Sequence, residues 1–160
     1  MAKQFAAKAS GFTLVELVMV IILIGVLSAL GVGLFSRSSA FSPILATQQL
    51  ASATLLAQQA ALAGNPSNSV VIRQTPNAFE FEAAGSLFSI RREGASLAYQ
   101  VANQSGPTSI PNGGLSINFD SMGRLAVPFN GQSLQFQMSG DSDFTLCLSS
   151  LGAVYQGPCS

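Results

Sequence analysis

The sequence predicts an α+β fold, with a long amino-terminal helix, membrane-spanning in its first part, laid against an antiparallel β-sheet or small β-sandwich. Three observations predict it. From Phe12 to Phe35 the only charged side chain is Glu16, and an apolar run of that length reads as a transmembrane helix. From Ile44 to Ala63 the chain is rich in Ala, Gln and Leu, all strong helix formers. After Gly64 the pattern changes to short segments separated by turn residues.

Taken in order, Gly25, Gly31 and Gly33 loosen the apolar helix, since each glycine costs up to about 1 kcal/mol against alanine in water. In a membrane the same small residues let helices approach closely. Ser42-Pro43 offers either an N-cap followed by proline at the first helical position or a kink in one continuous helix. Leu55 and Leu62, two turns apart, define one side of the next stretch, with Ala51 and Gln58/Gln59 around them. That side should lie on a sheet. Gly64-Asn65-Pro66 then stops the helix. Candidate strands follow at Val70–Arg73, Phe79–Glu82, Leu87–Arg92, Leu97–Val101, Leu115–Asp120, Arg124–Phe129, Leu134–Met138 and Phe144–Leu148. Leu134, Phe136 and Met138 alternate with Gln135 and Gln137, as a half-buried strand requires, and Leu115, Ile117 and Phe119 repeat the pattern. Asp120-Ser121-Met122-Gly123 and Asn130-Gly131 are turn signals.

Composition bounds the function. The 160 residues suffice for one anchor helix and one modest domain. Only 9% are charged and 48% are hydrophobic, which is lean in charge for a free soluble protein. Downstream of Gly11 five arginines face seven acids, a side-chain charge of −2, with no lysine and no histidine, so a basic footprint for nucleic acid is absent. Lys3 and Lys8 precede the apolar run and Arg37 alone follows it closely, which orients the amino terminus to the cytoplasm and the rest across the membrane. Cys147 and Cys159 would then lie in an oxidising compartment; if they pair at all, their pairing is unambiguous, and otherwise they are two free thiols.

An ionised carboxylate inside hydrocarbon is costly, so Glu16 is either a functional group or a side chain reaching back to the interface. The string around it, Gly11 followed by Phe12-Thr13-Leu14-Val15-Glu16, resembles the class III signal of type IV pilins and type II secretion pseudopilins. That resemblance implies cleavage between Gly11 and Phe12 by a prepilin peptidase, N-methylation of the new Phe12 amine, and an assembly role for Glu16. It divides the chain into a removed leader over 1–11, a transmembrane helix over 12–36, the periplasmic half of the helix over 37–64, and a globular β-rich domain over 65–160. An ordinary secretory signal works the other way, losing its apolar region. The implied partners are other pilin or pseudopilin subunits, the peptidase, and the inner membrane with its assembly platform. The implied location is the bacterial inner membrane, single-pass, and then a pilus or pseudopilus. The Cys147/Cys159 spacing resembles the disulfide-bounded carboxyl-terminal loop of many pilins. Pilins often carry a helix-breaking proline inside the apolar segment, where this chain has glycines. Leu115 to Arg124, with Ile117, Phe119, Gly123 and Arg124, resembles a region of the minor pseudopilin H group, and the end from Cys147 to Ser160 resembles minor pilins of the mannose-sensitive haemagglutinin pilus. In that group the roles are priming assembly, occupying the tip and, in some members, adhesion or DNA binding through a basic tail. Nothing after Arg124 is basic here.

No enzyme is predicted. Without histidine, a Ser-His or Cys-His nucleophile and a histidine metal site are excluded. Asp141-Ser142-Asp143 offers oxygens to calcium, but no EF-hand ligand series follows, and a solvated acidic turn explains it. Glu80 and Glu82, alternating with Phe79 and Phe81, suit an exposed edge strand better than an acid–base pair. Arg91 and Arg92 are adjacent on a strand, so they face opposite sides, and no aromatic platform surrounds them. No cofactor is implied.

Overall fold

The computed structural model describes residues 12–35, 42–102 and 104–159. The leader, with Lys3, Lys8 and Gly11, lies outside the described residues. So do Arg37 and the junction where the two helical stretches meet. Two compact units are present, divided after Arg37.

The first unit is helix α1, Leu14–Phe35. Its stretch Leu14–Gly31 has a mean hydropathy of 2.7 and none of it is buried. It is long and apolar enough to cross a membrane.

The second unit opens with α2, Ser42–Leu62. Its Ser42 does not behave as a simple cap. The hydroxyl donates to the carbonyls of Arg91 (2.7 Å) and Arg92 (3.2 Å), which pins the start of the helix to the end of a strand. At the other end Gly64 N–H bonds Ala61 O and Asn65 N–H bonds Ala60 O, the paired bonds of a Schellman stop, as Gly64-Asn65-Pro66 predicts.

Among the described residues nine strands follow: β1 Ser69–Gln74, β2 Ala78–Ala83, β3 Ser86–Arg91, β4 Ser96–Val101, β5 Thr108–Ser109, β6 Leu115–Asn118, β7 Leu134–Ser139, β8 Phe144–Leu148 and β9 Val154–Gln156. They form two antiparallel sheets, ordered β3-β2-β1-β6 and β5-β4-β7-β8-β9. The chain builds a meander in the first sheet, crosses to the second, returns to place β6 beside β1, and finishes in the second. Contacts run from α2 to both sheets. The alternation in β2 and β7 is as expected, with Phe79, Phe81, Leu134, Phe136 and Met138 buried and Glu80, Glu82, Gln135 and Gln137 half-buried.

Three expectations are corrected. The side of α2 that meets the sheets is not the Leu55/Leu62 side. Ala46, Leu50, Ala53 and Ala57 are fully buried, with Thr47 and Thr54 between them, whereas Leu55 and Leu62 are 45% and 58% exposed. Alanine lets sheets approach the helix closely, and the threonine hydroxyls are satisfied by donating four residues back, to Pro43 O and Leu50 O. Arg124–Phe129 is not a strand. It makes a single bridge, Leu125 to Phe119, and then turns with Phe129 N–H on Ala126 O. Pro128 has no N–H to continue a ladder. Finally, Glu80 and Glu82 lie on a central strand, between β1 and β3, and Glu82 pairs with Arg73 at 2.9 Å. With both side chains about 40–46% exposed, that pair contributes little. Strands β5 and β9 escaped the sequence reading because two or three residues cannot display an alternation.

Leu50→Ala is expected to cost about 2–5 kcal/mol, since it opens a cavity where α2 meets the sheets. Leu55→Ala should cost under about 1 kcal/mol, because its side chain is half in solvent. Urea unfolding of the detergent-solubilised chain, followed by near-UV circular dichroism, compares the two. Equal losses would return Leu55 to the core.

Candidate functional site

Two places gather the residues singled out by sequence. The first is the head of α1. Phe12 and Thr13 precede the helix, and Phe12 is 82% exposed. Thr13 accepts twice: its Oγ1 takes the N–H of Glu16 at 3.2 Å, and its carbonyl takes that of Leu17 at 3.1 Å. Thr13 is therefore the N-cap of α1, and Glu16 stands in the first turn. A carboxylate there faces the positive end of the helix dipole. Gly11 lies outside the described residues, so of the site residues expected at this end the structure places Phe12 and Glu16. Thr13 was missed as a participant. Its signal was present, because Thr13-Leu14-Val15-Glu16 has the spacing of a capping box ahead of an apolar run.

The second place is the carboxyl end of the domain. Cys147 and Cys159 form a disulfide with Cα atoms 5.1 Å apart. The bridge closes a loop that contains β9, whose Tyr155 lies opposite Cys147 on β8. Cys159 N–H also reaches Gln135 Oε1 at 3.1 Å, which fastens the terminus to β7.

Against this loop packs the Asp120–Arg124 turn. The Asp120 carboxylate accepts the N–H groups of Met122 and Arg124, both at 2.9 Å, and the Arg124 Nε at 3.1 Å. The Arg124 backbone N–H is the largest influence holding the Asp120 carboxyl below its ordinary pKa, with Met122 N–H and the Arg124 guanidinium adding to it. Gln58 of α2 donates to Gly123 O at 2.8 Å, and Leu125 N–H bonds Ser150 O at 3.0 Å. Gly152 lies so close that a Cβ there would collide with Gly123 O and the Gln58 amide, and its φ of +89° suits glycine alone. One node thus joins α2, the Gly123-Arg124 turn and the disulfide loop. The cleft beside it, lined by residues such as Asp120, Arg124, Asn130 and Leu151, holds about 230 Å³. That is small for a ligand pocket.

The remaining candidates do not converge. Arg92 Nε bonds Ala95 O and its Nη1 reaches Thr75 O at 3.4 Å, so it braces a turn, while Arg91 is exposed. Asp141 and Asp143 are exposed, and among the described residues no group of three His, Cys, Asp or Glu could hold a metal ion.

Residues 6–32 match the family model of the prokaryotic N-terminal methylation motif. The match covers Gly11 through Glu16 and most of α1, and it supports a type IV pilin-like or pseudopilin-like subunit processed at its amino terminus. No curated protein and no solved structure matches the chain.

Two outcomes follow from the node. Cys147→Ser should destabilise the domain by about 2–5 kcal/mol, and Gly152→Ala by about 1–3 kcal/mol, as chemical denaturation would measure. Acid should act more locally. Because the Asp120 pKa is lower in the folded state, its stabilisation is present above the ordinary value of 3.8 and is lost as pH falls through the folded value. Hydrogen-exchange protection of the Met122 and Arg124 amides should drop in that range, and should be low at every pH in Asp120→Ala.

Proposed function

We propose that this chain is a minor pilin or pseudopilin, a subunit that primes, joins or caps a type IV pilus-type filament after prepilin peptidase cuts between Gly11 and Phe12. The observation that carries the reading is the methylation-motif match on an exposed apolar helix whose one charged side chain, Glu16, stands in its first turn. After the cut, Phe12 bears a positive amine, methylated in the mature subunit. Glu16 follows four residues later, in the first turn of α1, with Phe12 just ahead of the helix. In the low dielectric of a membrane or filament core, amine and carboxylate favour neutralising one another, within a subunit or across to a neighbour. Such a pair registers an incoming subunit against the growing end. The amino terminus faces the cytoplasm and the domain the periplasm, where a disulfide persists. A minor role is favoured by the Ile117-to-Arg124 segment and its likeness to the pseudopilin H group.

A second reading, tip adhesin, is favoured by the exposure of Leu151 (71%) and Tyr155 (39%) on the disulfide loop. Deleting the subunit distinguishes the two: loss of filaments supports the structural role, and normal filaments that no longer attach support adhesion. A pilus-assembly or retraction gene cluster beside the coding sequence indicates a pilus; a secretion cluster indicates a type II pseudopilus.

Glu16→Leu is expected to insert and to be cut normally, since a costly charge is gone from the bilayer. It should fail to enter filaments or to crosslink with partner pilins, relative to its membrane level. Glu16→Asp, which keeps the charge and shortens the reach, should be partly defective. Wild-type incorporation of the Leu variant would contradict the pairing.

A further inference from the structure

We propose that Thr13 is a positioning residue for leader removal: by capping α1 it keeps Phe12 out of the helix and stops the helix from growing backward toward the bond that is cut. The proposal rests on Gly11–Phe12 being the bond that the peptidase cuts. Its observations are the start of α1 at Leu14, the exposed Phe12 ahead of it, and the 3.2 Å bond from Glu16 N–H to Thr13 Oγ1.

Which donor Thr13 captures is what matters. In an α-helix each N–H bonds the carbonyl four residues back. Without the hydroxyl, the Glu16 N–H would find its partner in the Phe12 carbonyl, and one step further the Val15 N–H would take the Gly11 carbonyl. That second carbonyl belongs to the scissile bond. In bulk water such donors are content with solvent. Beside an apolar run, where water is scarce, an unpaired N–H is expensive and the helix gains by growing backward. The Thr13 hydroxyl satisfies the donor that would begin that growth, and an N-cap residue itself has non-helical backbone. Cleavage adds one water across the Gly11–Phe12 amide, leaving a carboxylate on Gly11 and the amine on Phe12. The peptidase must polarise the Gly11 carbonyl with its own donors, which a helical hydrogen bond on that oxygen would oppose.

Purified full-length precursor in detergent micelles, incubated with prepilin peptidase, provides the test. Thr13→Ser and Thr13→Asn keep an acceptor at the cap and should be processed at close to the wild-type rate. Thr13→Val keeps the shape and loses the acceptor, and should be processed about five-fold more slowly, the population change that a typical cap supports. The Phe12 13Cα shift of the Val precursor should move toward helical values. A Val variant cut as fast as wild type overturns the proposal, as does an Asn variant as slow as Val, which would mean that the enzyme reads side-chain shape. Slow cutting of Val with unchanged Phe12 shifts also overturns it, by assigning the hydroxyl to direct contact with the enzyme. A wild-type precursor that is never cut refutes the assignment of the scissile bond itself, and the proposal falls with it.

Discussion

The apolar surface of α1 must be taken out of water, and the location of the whole chain depends on that constraint. From Leu14 to Leu30, thirteen large hydrophobic side chains are exposed. Burying each is worth about 1.5–3 kcal/mol, so the helix as a whole gains tens of kcal/mol by entering a bilayer or a bundle of like helices. A domain of ordinary stability holds together by about 5–15 kcal/mol. The placement of α1 therefore outweighs anything the β-rich unit contributes to location. One carboxylate near the helix end costs about 3 kcal/mol at most on insertion scales, far less than the surrounding gain. Glu16 can be carried into the membrane and still want a positive partner there.

The second unit solves a different problem, which is to hold two sheets on one helix with few charges. Alanine does this on α2: small side chains at 46, 53, 57 and 61 let the sheets close in, with Leu50 as the large residue among them. Rigidity at the far end comes from the node of Gln58, Gly123 and Gly152 and from the disulfide that closes over β9. These tie the last third of the domain to α2.

What was legible in the sequence was local. The apolar run, the motif around Gly11 and Glu16, the helix stop at Gly64 and the strict alternation of β7 each reside within a few residues, so a one-dimensional reading finds them. The buried side of α2 was not legible, because leucine spacing outweighs alanine in a hydrophobicity pattern while the close sheets select alanine. Pairing order was not legible either: Glu80 and Glu82 look like edge residues until β3 is seen to cover their strand. Gly152 against Gly123 is a contact between residues far apart in the chain, and no periodicity announces it. Thr13 was readable in principle through its spacing to Glu16.

The whole proposed role depends on one conversion, in which cleavage and methylation would turn an anchored precursor into a subunit with a cationic end four residues from Glu16. Intact-mass measurement of the chain recovered from membranes of cells with active prepilin peptidase examines it directly. The expected species begins at Phe12 and carries one added methyl group. A chain that retains Met1 to Gly11 in the presence of active peptidase would contradict the assignment.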